Sequence, residues 1–143
     1  MHGRLTCLTM LVGILAAATS CGDGAGPIGS RAGIAGLYVL ATVNGDAVPT
    51  SDPSAPINGS LYLWPTGHAE RHVTYRTYTG GTEVVESEGT FHLDNGAIVF
   101  DLRPKGDVSP NFWRVTATFD NRRISFGYPG PADGWMAEEY RRK

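Results

Sequence analysis

Cysteine, histidine and clustered carboxylates are the side chains of this sequence with the widest chemical repertoire, and their placement restricts each. The chain of 143 residues has two cysteines, Cys7 and Cys21. Both fall at the N-terminal end, so the remainder has no disulfide pair and no cysteine set for zinc. His68 and His72 are four residues apart, about 13 Å along an extended strand, too far to share a metal unless the chain folds back. His92 belongs to another segment, and structural or solvent-facing roles are expected for all three. Glu83, Glu86 and Glu88 read as a solvated acidic face rather than a cation site. No Gly-x-Ser-x-Gly elbow surrounds a serine, and no glycine loop leads into a helix to cradle phosphate. The expectation is therefore a protein that is not an enzyme and uses neither cofactor nor metal. A net charge of -2 lacks the basic footprint of a nucleic-acid binder.

The N-terminal segment carries a different message. Arg4 precedes an apolar run containing Leu8, Leu11, Val12, Ile14 and Leu15, and the small residues Ala18, Thr19 and Ser20 follow. This is the order of a secretory signal, and the apolar run is shorter than the ~20 residues a spanning helix needs. Ala18-Thr19-Ser20-Cys21 resembles the lipobox of bacterial lipoproteins, with alanine where that family prefers leucine. The resemblance implies cleavage after residue 20 and lipid on the Cys21 thiol, with the membrane as partner through that lipid. Gly22 in place of aspartate favours the outer membrane of the cell envelope by the same analogy. Residues 21–34 are rich in glycine, serine and proline and read as a flexible tether.

Residues 35–143 then form one domain. Two-residue alternation dominates, as in Leu61 and Leu63, Val73 and Tyr75, Ile98 and Phe100, Val115 and Ala117, while no uninterrupted helical period appears. Eight strands are expected, near 35–43, 58–64, 68–78, 83–93, 97–103, 112–119, 122–128 and 135–141. Asn95-Gly96 is the strongest hairpin signal. Short joins between neighbours imply a meander, and eight meandering strands close into a barrel to remove exposed edges. The long proline-containing connection from Gly45 to Asn58 is placed to cap one end. An open sandwich is the second choice of fold.

The opening Gly36-Leu37-Tyr38, followed by Asn44-Gly45, resembles the small lipocalin-like domains of bacterial lipoproteins. That resemblance implies an all-β, antiparallel up-and-down barrel of about eight strands, with an apolar interior site. The candidate ligand-lining residues are Tyr38, Arg71, Tyr75, Phe91, Trp113 and Glu138. Two of them are charged. Alternation that points Ala69, Val73 and Tyr75 inward also points Arg71 inward, and Met136 and Tyr140 do the same for Glu138. Either the two head groups meet inside or line a wet pocket, or a bulge turns one outward. Two functions are open: a lipid-anchored barrel that binds a small apolar or amphipathic ligand, or an envelope interaction module whose barrel is filled.

Overall fold

A computed structural model describes residues 30–120, 122–130 and 134–143. The signal segment 1–20, Cys21 and the tether to residue 29 lie outside the described residues.

One turn of helix, α1 (Arg31–Ile34), leads into nine strands: β1 (Gly36–Val43), β2 (Asp46–Ala47), β3 (Pro56–Leu63), β4 (His68–Arg76), β5 (Thr82–Asp94), β6 (Ala97–Pro104), β7 (Trp113–Asp120), β8 (Arg123–Pro129) and β9 (Trp135–Arg142). Every pairing is antiparallel and, from β3 on, each strand pairs with the next in sequence. β1 pairs with both β3 and β9, which closes eight strands into a barrel and leaves β2 as a short addition on β1. The expected eight strands are all present, with ends that differ by at most two residues. The two-residue β2 was too short to show a period. Asn44-Gly45 and Asn95-Gly96 both have positive φ at each residue, the geometry that lets a two-residue turn follow strand twist.

Alternation sorts the side chains as the period requires. On β4, Ala69, Arg71 and Val73 are buried, and on β9, Met136, Glu138 and Tyr140 are. Leu61, Phe91, Ile98, Phe100, Leu102 and Ile124 fill the lumen between them, each at most 1 % exposed. Full burial of such a side chain contributes roughly 1.5–3 kcal/mol, and no cysteine among the described residues adds a crosslink.

The two ends of the barrel differ. At one end the tether expected to reach residue 34 gives way to α1, because Ile34 has an apolar side chain to bury. It is 0 % exposed and plugs the lumen. Tyr38 donates its hydroxyl to the Ile34 carbonyl at 2.7 Å. Arg142 donates to the carbonyls of Gly33 and Ala35, tying the plug to the last strand. At the opposite end β1 and β3 part company. Only Gly36–Val39 of β1 pairs with β3, while Thr42 and Val43 pair with β2. The connection between β2 and β3 fills the resulting gap with Ala55, 2 % exposed, and the partly buried Val48. It covers part of this end and leaves the rest open.

β5 presses closely on β6 at Gly89, where an added Cβ would collide with the Asp101 carbonyl. Gly89→Ala is expected to lower unfolding free energy by about 1–3 kcal/mol, the usual cost of overpacking. Chemical denaturation of the two proteins measures it, and an unchanged midpoint would contradict the close approach.

Candidate functional site

The open end of the barrel leads to a cluster of polar side chains fixed by the inward alternation of three strands. Arg71 comes from β4, Tyr128 from β8, and Glu138 and Tyr140 from β9. β4 and β9 are not neighbours in the sheet, since β1 and β3 lie between them. The Arg71 side chain therefore crosses the lumen to reach its partner. Its Nε donates to Glu138 Oε2 at 3.1 Å and to Tyr140 Oη at 3.0 Å. Its Nη2 donates to Glu138 Oε1 at 2.5 Å and to Tyr128 Oη at 3.0 Å. Both phenols in turn donate to the carboxylate, Tyr128 at 2.6 Å and Tyr140 at 2.8 Å. Glu138 thus accepts four hydrogen bonds, two from the guanidinium and two from hydroxyls that also accept from it. This is the satisfaction a buried ion pair requires, because unpaired charge in such a place costs several kcal/mol. Arg71 is 4 % exposed and Glu138 1 %.

Charge states follow from these contacts. Burial by itself disfavours the Arg71 cation, but the Tyr140 and Glu138 oxygens facing it outweigh that and hold the guanidinium well above its ordinary value. Burial pushes both the Tyr140 and Tyr128 hydroxyls far up, against a smaller lowering by Arg71 and with a further raising by Glu138. Burial likewise raises Tyr38, with Arg142 opposing.

Above this cluster lies a cleft of about 450 Å³, walled by Arg71, Tyr75, Val85, Ser87, Pro104, Trp113, Tyr128 and Pro129. Its space has an identifiable origin. Ser87 sits directly opposite Arg71 in the β4–β5 register, and Gly89 opposite Ala69, so β5 places no bulky side chain there. Trp113 meets Tyr128 with ring centroids 5.8 Å apart, and the Arg71 guanidinium lies 5.5 Å from the Tyr128 ring centre. A second depression of about 490 Å³ at the same end is lined by Pro53, Ser54, Arg76, Thr77 and Tyr78, none of them buried. Of these two, the first has members of the buried cluster, Arg71 and Tyr128, in its wall.

Of the six candidate lining residues, Arg71, Tyr75 and Trp113 form the cleft wall. Glu138 lies beneath, holding Arg71. Tyr38 and Phe91 are instead packed in the plugged half, 0 % and 1 % exposed, away from the cleft. Tyr128, Ser87, Val85, Pro104 and Pro129 were not among the candidates. Tyr128 had a signal, since alternation from Ile124 and Phe126 carries it inward. The role of Ser87 had none, because a small inward residue reveals a cleft only when its neighbours are known.

His68, His72, Glu70 and Glu86 stand on the outer wall. Glu70 lies 3.5 Å from His68 and 3.2 Å from His72, and His72 reaches Glu86 at 3.0 Å. The hydrogen bond with His72, then smaller contributions from His68 and Lys105, hold the Glu70 carboxyl below its usual range, although partial burial opposes this. Among the described residues no three His, Cys, Asp or Glu side chains converge as a metal-ligand set. Glu83 does not join Glu86 and Glu88. Register places it opposite Tyr75, on the other face of β5.

Compared with known proteins, the chain matches no family model, no curated protein and no solved structure.

Removing one member of the ion pair should be far more damaging than removing the whole polar cluster. Arg71→Met alone leaves Glu138 charged and uncompensated, with an expected loss of about 3–5 kcal/mol. The triple variant Arg71→Met, Glu138→Leu, Tyr140→Phe leaves no buried orphan and should recover most of that loss. Denaturant unfolding of both variants decides, and equal losses would contradict the orphaned-charge account.

Alkaline titration gives an independent check. The phenols of Tyr38, Tyr128 and Tyr140 have raised values in the fold against about 10 when unfolded. Their contribution to stability is thus whole below pH 10 and is lost as pH rises above it. Phenolate absorbance of the six tyrosines should remain incomplete until unfolding, then rise to full amplitude. Complete ionisation of a still-folded barrel would refute the burial argument.

Proposed function

We propose that this chain is a lipid-anchored protein of the bacterial cell envelope whose barrel binds a small amphipathic molecule at its open end, without catalysis. The observation that carries the reading is the 450 Å³ cleft, which joins aromatic and apolar walls to one buried cation. Ligand sites are typically concave, largely apolar and supplied with a few converging polar groups, and volumes of about 300–1,000 Å³ are usual. Lipid anchoring rests on the lipobox-like Ala18-Thr19-Ser20-Cys21. Lipocalin-like membership rests on the opening pattern around Tyr38 together with the closed eight-strand meander.

A second reading has an observation in its favour. Tyr78, Val84, Val108, Phe112 and Trp135 are all exposed, and all lie at or near the open end. Such a rim suits contact with another envelope component, with the packed half of the barrel as a rigid support.

Two measurements test the main proposal. Cells grown with radiolabelled palmitate should incorporate label into the full chain and not into Cys21→Ala. Protein purified from native membranes should release a small organic molecule on solvent extraction, detected by mass spectrometry, whereas Ser87→Trp, which fills the cleft, should not. Recovery of membrane lipid alone from both forms would favour the interaction module.

A further inference from the structure

The Arg71 guanidinium has five N–H groups, and the cluster described above uses three. Nε–H is shared between Glu138 and Tyr140, and the two hydrogens on Nη2 go to Glu138 and Tyr128. The two on Nη1 have no acceptor among the described residues. Nη1 is nevertheless not sealed away, because no fully buried side-chain nitrogen or oxygen of the described residues lacks a partner. Arg71 as a whole is 96 % removed from solvent, being 4 % exposed, and it forms part of the cleft wall. Its unused donors therefore open onto the cleft floor.

The electrical balance decides what those donors can take. Glu138 already neutralises Arg71, and the other walls (Tyr75, Val85, Ser87, Pro104, Trp113, Tyr128, Pro129) carry no charge. A carboxylate or phosphate in the cleft would add a negative charge with no second cation to meet it, and burying an uncompensated charge is costly. With Nη2 fully engaged, the two-pronged grip that guanidinium gives a carboxylate is also closed off. A single uncharged oxygen meets neither obstacle. We infer that the cleft selects small neutral molecules bearing a carbonyl-type oxygen, such as a ketone, ester or amide, which Arg71 Nη1 holds while the apolar body packs between Trp113 and Tyr75. This inference rests on the cleft being a ligand site and adds which ligand chemistry it accepts.

The test uses the full chain in native membranes, photolabelled with benzophenone, a neutral diaryl ketone, with the labelled peptides located by mass spectrometry. Competitors of one shape are compared at equal free concentration: 9-fluorenone, fluorene, which lacks the oxygen, and fluorene-9-carboxylate. The expected result is label on the segments carrying Val85 and Pro129. It should be suppressed by fluorenone at about one-tenth the concentration needed of the other two, the usual scale for a hydrogen bond to a charged group. In the variant Arg71→Met, Glu138→Leu, Tyr140→Phe, fluorenone should lose that advantage while fluorene still competes. Equal competition by fluorene and fluorenone in the native chain would overturn the inference and leave a ligand cleft that reads only shape. Strongest competition by the carboxylate would overturn it in favour of charge recognition. Absence of label at the cleft would overturn both the inference and the binding function beneath it.

Discussion

A guanidinium and a carboxylate facing each other inside a small barrel constrain the chain more tightly than any single apolar contact. Apolar side chains tolerate repacking, whereas Glu138 needs four donors in place and Arg71 needs the acceptors they leave. Those donors come from β4, β8 and β9, so the register of three strands must be correct together. A slip of one residue in β4 would turn Arg71 to solvent and strand Glu138. The two tyrosines matter for the same reason, since each hydroxyl passes the cation's hydrogen bond on to the carboxylate. The interior is consequently divided into a dry, packed half beneath the cluster and a partly open half above it.

That division explains how so short a chain holds a cleft at all. Side chains from α1 and from the inner face of the closed meander occupy the plugged half, where Phe91, Phe100, Phe126 and Tyr140 touch in series with centroid separations of 5.7 to 6.1 Å. A lipocalin-like calyx running the length of the barrel is therefore absent from the described structure. What remains open is set by small residues on β5 and by the parting of β1 from β3, the latter closed only in part by the connection that follows β2.

Strand number, order and inward faces were legible because alternation of period two is a local property, and each join is short enough to dictate its neighbour. The same reasoning raised Arg71 and Glu138 as inward residues but left a bulge as the alternative, and the unbroken register of β4 against β5 and of β9 against β8 decides between them. Other features depended on information no short window contains. Ile34 looked like tether because a single isoleucine after glycines and serines has no period; its burial depends on the lumen it meets. Tyr38 and Phe91 share the aromatic character of Trp113, and only their depth in the barrel separates core from cleft wall. Ser87 is defined by the Arg71 opposite it, on a strand whose register is fixed by pairing rather than by its own sequence.

The clamp from Arg142 to the carbonyls of Gly33 and Ala35 also fixes where the polypeptide enters the domain. The chain arrives at the stoppered pole, and the aperture is at the other. Ser30, where the described residues begin, and the cleft walled by Arg71, Tyr75 and Trp113 thus lie at opposite poles of the barrel. A substitution that loosens the Arg142 clamp therefore acts on the stoppered pole and leaves the side chains around the aperture in place.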